Sequence, residues 1–260
     1  MIHDTFDPDQ DAIINPSAAA ITCSTGDVPE ICVGVFSDAI AGRFVQECGG
    51  EKIGAFRSVT GDRDYYRVNL FGTEVFLFVP IVGAPAAAGM LEEIIAAGCR
   101  YFVFLGCCGV LRHDIADGHI IVPTAAVRDE GLSYHYVPAA EEIELGERSI
   151  RAMREAMETL RLPYVEAKTW TTDAIYRETR QKVKAMRDRG CVCVEMECAS
   201  LAAVAQFRNV PFAQFLWSAD NLDAPEWEKR GLHTRGEGSA ELYMRAAVET
   251  AKNLKKYDPQ

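Results

Sequence analysis

The sequence predicts an α/β fold, a single domain of three α/β/α layers around a mixed central sheet. Two observations carry this. Short apolar runs bounded by polar or glycine-containing turns alternate with segments of helical period, the pattern of buried strands covered by helices. Polar and charged residues gather where those runs end, at the rim where open α/β sheets collect ligands.

In order, an acidic lead-in over 1–28 is irregular, and 31–36 (ICVGVF) is the first buried strand. A helix follows from 37 toward 48, with Ser37 as its N-cap. Segments 65–70 and 75–79, separated by Gly72-Thr73, form a hairpin. The small-residue helix 84–98 closes on Gly98, and 101–105 is another buried strand. Beyond the polar turn 114–118 come strands 120–123 and 125–128, an amphipathic helix 144–160 and a strand 164–171. A charged helix 177–189, a short strand 192–194, a helix 199–207, a strand 212–218 and a helix 240–254 complete the chain. Parallel and antiparallel strands therefore mix.

A net charge of −11 and a pI near 5.0 disfavour a nucleic-acid surface, which needs clustered Lys and Arg. Small molecules are the expected partners. No apolar run reaches the roughly 18 residues of a membrane helix, and the first residues lack a basic and an apolar leader region, so the cytoplasm is the expected location. The nine cysteines sit mostly in apolar segments, and neither Cys107-Cys108 nor Cys191-x-Cys193 has zinc-site spacing. Reduced thiols and no metal are expected.

The most informative stretch is 192–200, VCVEMECAS, where an apolar strand runs into two carboxylates and a helix of small residues. Glu195 and Glu197 suit a polyhydroxylated ligand, because carboxylate oxygens accept from sugar hydroxyls, while the Met196 thioether offers a soft surface to a sugar face. The plainer reading is a helix start that favours acidic residues in its first turn. Other polar strand ends lie at 104–109 (FLGCCG), 124–136, 169–176 and 217–221. His135, between Tyr134 and Tyr136, is either a pocket residue that hydrogen-bonds sugar or base, or an ordinary loop histidine.

Taken together, these residues and their order resemble the nucleoside phosphorylase superfamily, the branch of uridine phosphorylases, hexameric purine nucleoside phosphorylases and adenosylhomocysteine-type nucleosidases. The resemblance runs from about 31 to 220 and is strongest at Glu195-Met196-Glu197 and at 124–138, the latter most like uridine phosphorylases. It implies cleavage of the N-glycosidic bond of a uridine or purine ribonucleoside by phosphate, giving free base and ribose 1-phosphate. By the same likeness Glu197 is catalytic and holds the ribose with Glu195 and Met196, and Asp220 is the acid toward the leaving base. Tyr176 and Arg177 lie on the base side, and Gly106, Cys107 and Gly109 on the phosphate side, where Arg43 could reach back from the first helix. No organic cofactor or metal is implied beyond phosphate as co-substrate, and a homo-oligomer is, dimer-based and possibly a hexamer with sites completed across subunits.

The phosphate side departs from the family. Phe36, Ile40 and Phe104 stand where the phosphorylases keep a glycine and two arginines, leaving an arginine of a neighbouring subunit, Arg57, Arg63 or Arg67, as a further source of charge. Hydrolysis by water, with Asp38 in the place of the nucleosidases' activating glutamate, is therefore a second reading, and a non-catalytic nucleoside-binding protein a third. A dinucleotide-dependent oxidoreductase is disfavoured, since no G-x-G-x-x-G follows the first strand.

Overall fold

In the computed structural model, residues 6–16 and 28–258 are described. The remainder of the 1–28 lead-in, with Cys23, lies outside them. The chain begins its sheet with β1 (Ile31–Val35), and Ser37 caps α1 (Asp38–Glu47) by accepting the Ile40 N–H at 3.3 Å. Three strands, β2 (Glu51–Phe56), β3 (Arg63–Leu70) and β4 (Thr73–Phe78), precede α2 (Ala84–Ala97). Next come β5 (Tyr101–Val110), β6 (Ile120–Asp129), the single turn α3 (Ser133–Tyr136), β7 (Glu142–Glu144) and α4 (Glu147–Thr159). The last third holds β8 (Tyr164–Thr172), α5 (Arg180–Asp188), β9 (Cys191–Glu195), α6 (Cys198–Arg208), β10 (Phe212–Asn221) and α7 (Ala240–Lys256). No helix among the described residues is long and apolar enough to cross a membrane.

The α/β class and the mixed sheet are as predicted, and the sheet also closes partly on itself. Its order is β10-β6-β8-β9-β5-β1-β4-β3-β2, and β10 pairs with β5 as well as β6. Strands β5, β10, β6, β8 and β9 thus form a ring, with β1, β4, β3 and β2 as an open wing. Cys108, Val110, Ile121, Cys193 and Leu216 fill the ring. The larger core lies between the sheet and its covering helices, which pack as pairs, α2 with α6 and α4 with α7.

Three expectations change. The strand expected over 101–105 does not end there: β5 continues through Gly106 and Gly109 to Val110, because β10 runs parallel alongside and pairs Gly106 with Leu216 and Gly109 with Asp220. The two strands placed at 120–123 and 125–128 are one strand, β6, whose register against β8 shifts between Pro123 and Ala126; proline cannot donate to a ladder, and the shift absorbs it. Strand β10 likewise runs on past Ser218 to Asn221, so Asp220 stands in a strand beside a register shift between Ser218 and Asp220.

Aromatic rings fix the join between wing and ring. Phe104 is fully buried, with ring centroids 5.6 Å from Phe78, 5.8 Å from Phe212 and 6.2 Å from Phe36. Gly34 makes room for it: a Cβ there would lie 2.8 Å from the Phe104 ring and 3.0 Å from that of Phe78. Enclosed rings cannot swing away, so Gly34→Ala should cost about 1–3 kcal/mol through overpacking. A lower urea midpoint with an unchanged slope is the expected result, and an unshifted midpoint would show that the rings yield freely.

Candidate active site

The apolar residues of β9 end at Glu195, and small residues let α6 begin within three positions, so the intervening corner must satisfy the first N–H groups of the helix. Glu195 does this. Its Oε2 accepts the N–H of Glu197 at 2.7 Å and of Cys198 at 2.6 Å, and its Oε1 accepts the hydroxyls of Thr171 at 2.5 Å and Thr169 at 3.4 Å. Thr171 in turn accepts the Ala199 N–H at 3.0 Å, tying the corner to β8. A carboxylate offers about four acceptor positions. Those of Glu195 are all met from within the protein, which gives it a positioning role rather than a direct hold on a sugar.

Glu197 is placed differently. Its Oε1 accepts the N–H of Gly83 at 2.6 Å, from a residue at φ +104° where α2 begins, and Met196 N–H adds a weaker interaction. Acceptor capacity is left over beside the half-buried Met196. Burial pushes the Glu197 carboxyl up to about 8, helped by the nearby Glu195 and opposed by the Gly83 and Met196 N–H groups. Burial also raises Glu195 to about 7, against the pull of its hydroxyl and N–H donors. The pair therefore favours keeping a proton near neutral pH, and Glu197, with fewer donors, is its better holder.

Cys107 lies beside these groups. Burial is the main reason its thiol rises to about 11, and the charges of Asp220 and Glu197 both add to the rise, as β5 passes between the glutamate corner after β9 and the end of β10. Asp220 itself is raised, chiefly by burial, while the Trp227 indole N–H donates to its Oδ2 at 2.6 Å and Arg230 draws it down. Gly109 gives it space, since a Cβ there would meet Leu222 at 2.5 Å and Asp220 Oδ1 at 3.2 Å. Glu178, raised to about 7 by burial and then by Asp220, completes an acidic rim with Asp173, whose charge reaches Glu197.

The remaining sequence candidates fall at the margin. Tyr176 is 95% exposed on a short turn with Arg177, which is also exposed. Gly106 backs onto the Phe36 ring, 3.1 Å from where its Cβ would be, so an aromatic face covers that part of the predicted phosphate side. Arg43 does not reach back to it: its Nε donates forward along α1 to Glu47 at 2.9 Å, the ordinary i,i+4 pairing of an outer helix face. Arg67 is engaged with Glu51 and Glu74. His135 is exposed on α3, whose neighbours form a buried knot instead. Arg128 donates there to Ser133 Oγ and the Pro138 carbonyl, both at 2.8 Å, with its guanidinium 4.0 Å from the Tyr134 ring centroid. Sequence reasoning missed Gly83, Glu178 and Trp227. Only Gly83 left a signal, in the Gly-x-Pro opening of a helix.

The two glutamates should separate in experiment. Glu195→Gln strands a buried donor and should lower stability by about 1–3 kcal/mol, whereas Glu197→Gln should leave the melting temperature at or above that of the parent at pH 8. Both folded-state values lie above the unfolded carboxylate value, so the native protein binds the extra protons and loses stability as pH rises from about 4.5 to about 8. Melting curves across that range should show the decline, flattened in Glu197→Gln; an identical slope in the variant would remove Glu197 as its source.

Residues 31–257 match the family model described as the phosphorylase superfamily. Among curated relatives, a guanosine phosphorylase of Halorubrum lacusprofundi is 28% identical over 192 residues, covering 71% of this chain and 76% of its own. A uridine phosphorylase of Treponema pallidum is 26% identical over 206 residues, covering 74% and 79%. The fold is similar to that of AMP nucleosidase from Bacteroides thetaiotaomicron, with a TM-score of 0.72 and 19% identity over 88% of this chain and 89% of the other. It is likewise similar to purine nucleoside phosphorylase from Toxoplasma gondii in complex with immucillin-H, at 0.75 and 18% over 95% and 99%. A model match over nearly the whole chain, on a fold whose strand ends carry the Glu195-Met196-Glu197 corner, makes this chain a member of the phosphorylase superfamily.

Proposed function

We propose that the protein cleaves the N-glycosidic bond of a ribonucleoside with phosphate, releasing free base and ribose 1-phosphate. The observation that carries this is the inequality of two adjacent carboxylates: Glu195 is saturated by four donors, and Glu197 is held by Gly83 with acceptor capacity to spare. A ribose laid on Met196 offers hydroxyls to Glu197. As the bond to the base lengthens, positive charge grows on the sugar; the Glu197 carboxyl, fixed by Gly83, holds the ribose hydroxyls in place, and its ionised form stabilises that charge without reorganising. Asp220, across Cys107 and raised by burial, is the group available to protonate or hydrogen-bond the departing base. The names of the guanosine and uridine phosphorylase relatives support phosphate as acceptor.

A second reading, hydrolysis, is favoured by one feature of the phosphate side: the Phe36 ring lies against Gly106, and Arg43 is occupied by Glu47. Phosphate needs a guanidinium or exposed N–H groups there, and water needs neither. The discriminating measurement is chromatographic detection of free base from guanosine, inosine, adenosine and uridine, with and without phosphate. Phosphate-dependent release is expected, with ribose 1-phosphate as the second product. Equal release in both conditions would establish the hydrolytic reading, and no release from any nucleoside would leave a binding protein. In the active assay Glu197→Gln should lower kcat by about 10²–10³-fold, and a folded variant with full activity would exclude Glu197 from the chemistry.

A further inference from the structure

The loop that follows β10 is braced along its length. Asn221 and Glu228 exchange backbone hydrogen bonds at 2.9 and 3.2 Å, and Asn221 Nδ2 donates to Glu228 Oε2 at 2.7 Å. The Asp223 N–H donates to Asn221 Oδ1 at 2.9 Å, Arg230 Nη1 to the Ile115 carbonyl at 2.6 Å, and Gly231 N–H to Asp117 Oδ1 at 3.3 Å. Arg180 donates to the Pro225 carbonyl, binding this loop to the segment that carries Tyr176. So many constraints on an exposed connection fix one thing at its tip. Trp227 stands 55% exposed with its indole N–H on Asp220.

A large aromatic left half in water loses the benefit of burial, and its N–H is spent on the one carboxylate suited to the leaving base. Gly109 leaves room beside Oδ1 of that carboxylate, and the indole N–H on Oδ2 fixes its orientation. Lys229 Nζ stands over one face of the Trp227 ring, 5.4 Å from its centroid, and the half-exposed indole still presents aromatic surface to solvent, on a loop tied to the one that presents Tyr176. We propose that Trp227 is the positioning residue of Asp220 and also the aromatic wall against which the planar base of the nucleoside stacks. This rests on the reading of the site as a nucleoside-cleaving one. The charged and titratable groups around Asp220 are Arg230 on the same loop, Glu178 ahead of α5, and Cys107 and Cys108 on β5. Trp227 is the neutral donor among them, and its N–H favours the ionised carboxylate.

Two substitutions separate the two roles. Trp227→Phe keeps the plane and loses the donor, so the alkaline limb of kcat/KM set by Asp220 should move to higher pH while KM stays within about twofold. Trp227→Ala loses both, and should add a rise in KM of about tenfold. Fluorescence supplies a readout independent of turnover. Trp170 and Trp217 are buried, so quenching by bound inosine or uridine should come from Trp227 and vanish in both variants. Wild-type protein that cleaves nucleosides, with both variants keeping its pH profile, KM and quench, would overturn the proposal and leave the function intact. Quenching lost in the variants of a chain that cleaves nothing would support the wall and overturn the catalytic reading. Neither cleavage nor quenching would overturn both.

Discussion

The candidate site depends on one buried carboxylate whose partners all come from the protein itself. Glu195 collects two backbone N–H groups and two threonine hydroxyls, and these bonds decide where β9 stops, where α6 starts and how both sit against β8. Left unpaired, such a group would cost several kcal/mol. Saturated, it converts that liability into geometry: Glu197 is held one residue past Met196, against the start of α2. The two glutamates are chemically alike and two positions apart, yet one has its acceptor positions filled and the other keeps some free, because their neighbours offer different numbers of donors.

A second constraint acts at the join between the open wing and the closed ring. Phe36 packs tilted and Phe78 edge-on against Phe104, in the space left by Gly34 and Gly106. Aromatic packing of this kind stabilises the core and also makes the adjoining pocket apolar. The same rings that lock β1 to β5 thereby put an aromatic surface rather than a charged one beside Gly106.

Much of the fold was readable in the sequence because buried strands announce themselves as apolar runs, as 31–36 and 212–218 do. What escaped were elements defined by their partners. Strand β7 is three residues long and exists by pairing with β6. Gly106 and Gly109 look like a turn until a parallel neighbour claims them. At the candidate site, order and spacing picked out Met196, Glu197 and Asp220, which the structure sets at the ends of β9 and β10 on either side of β5, whereas the difference between Glu195 and Glu197 rests on Thr169 and Thr171 in another strand. Arg43 failed for a local reason, since a glutamate one helical turn ahead is a nearer partner than any ligand. Trp227 had no pattern to find: a lone tryptophan in a polar loop gains meaning only when the loop is seen to fold back on Asp220.

The closure of the ring has a temporal side. Strand β10 is the last to leave the ribosome, yet it lies between β5 and β6, more than eighty residues upstream, and pairs with both. A nascent chain that has already made β5, β6, β8 and β9 holds a ring with a missing stave, its edges unpaired and open to misassociation. The strand that seals those edges also delivers Asp220. Completion of the barrel and arrival of the Asp220 carboxylate beside Cys107 are thus a single late event in synthesis, and a chain truncated before 212 lacks both together.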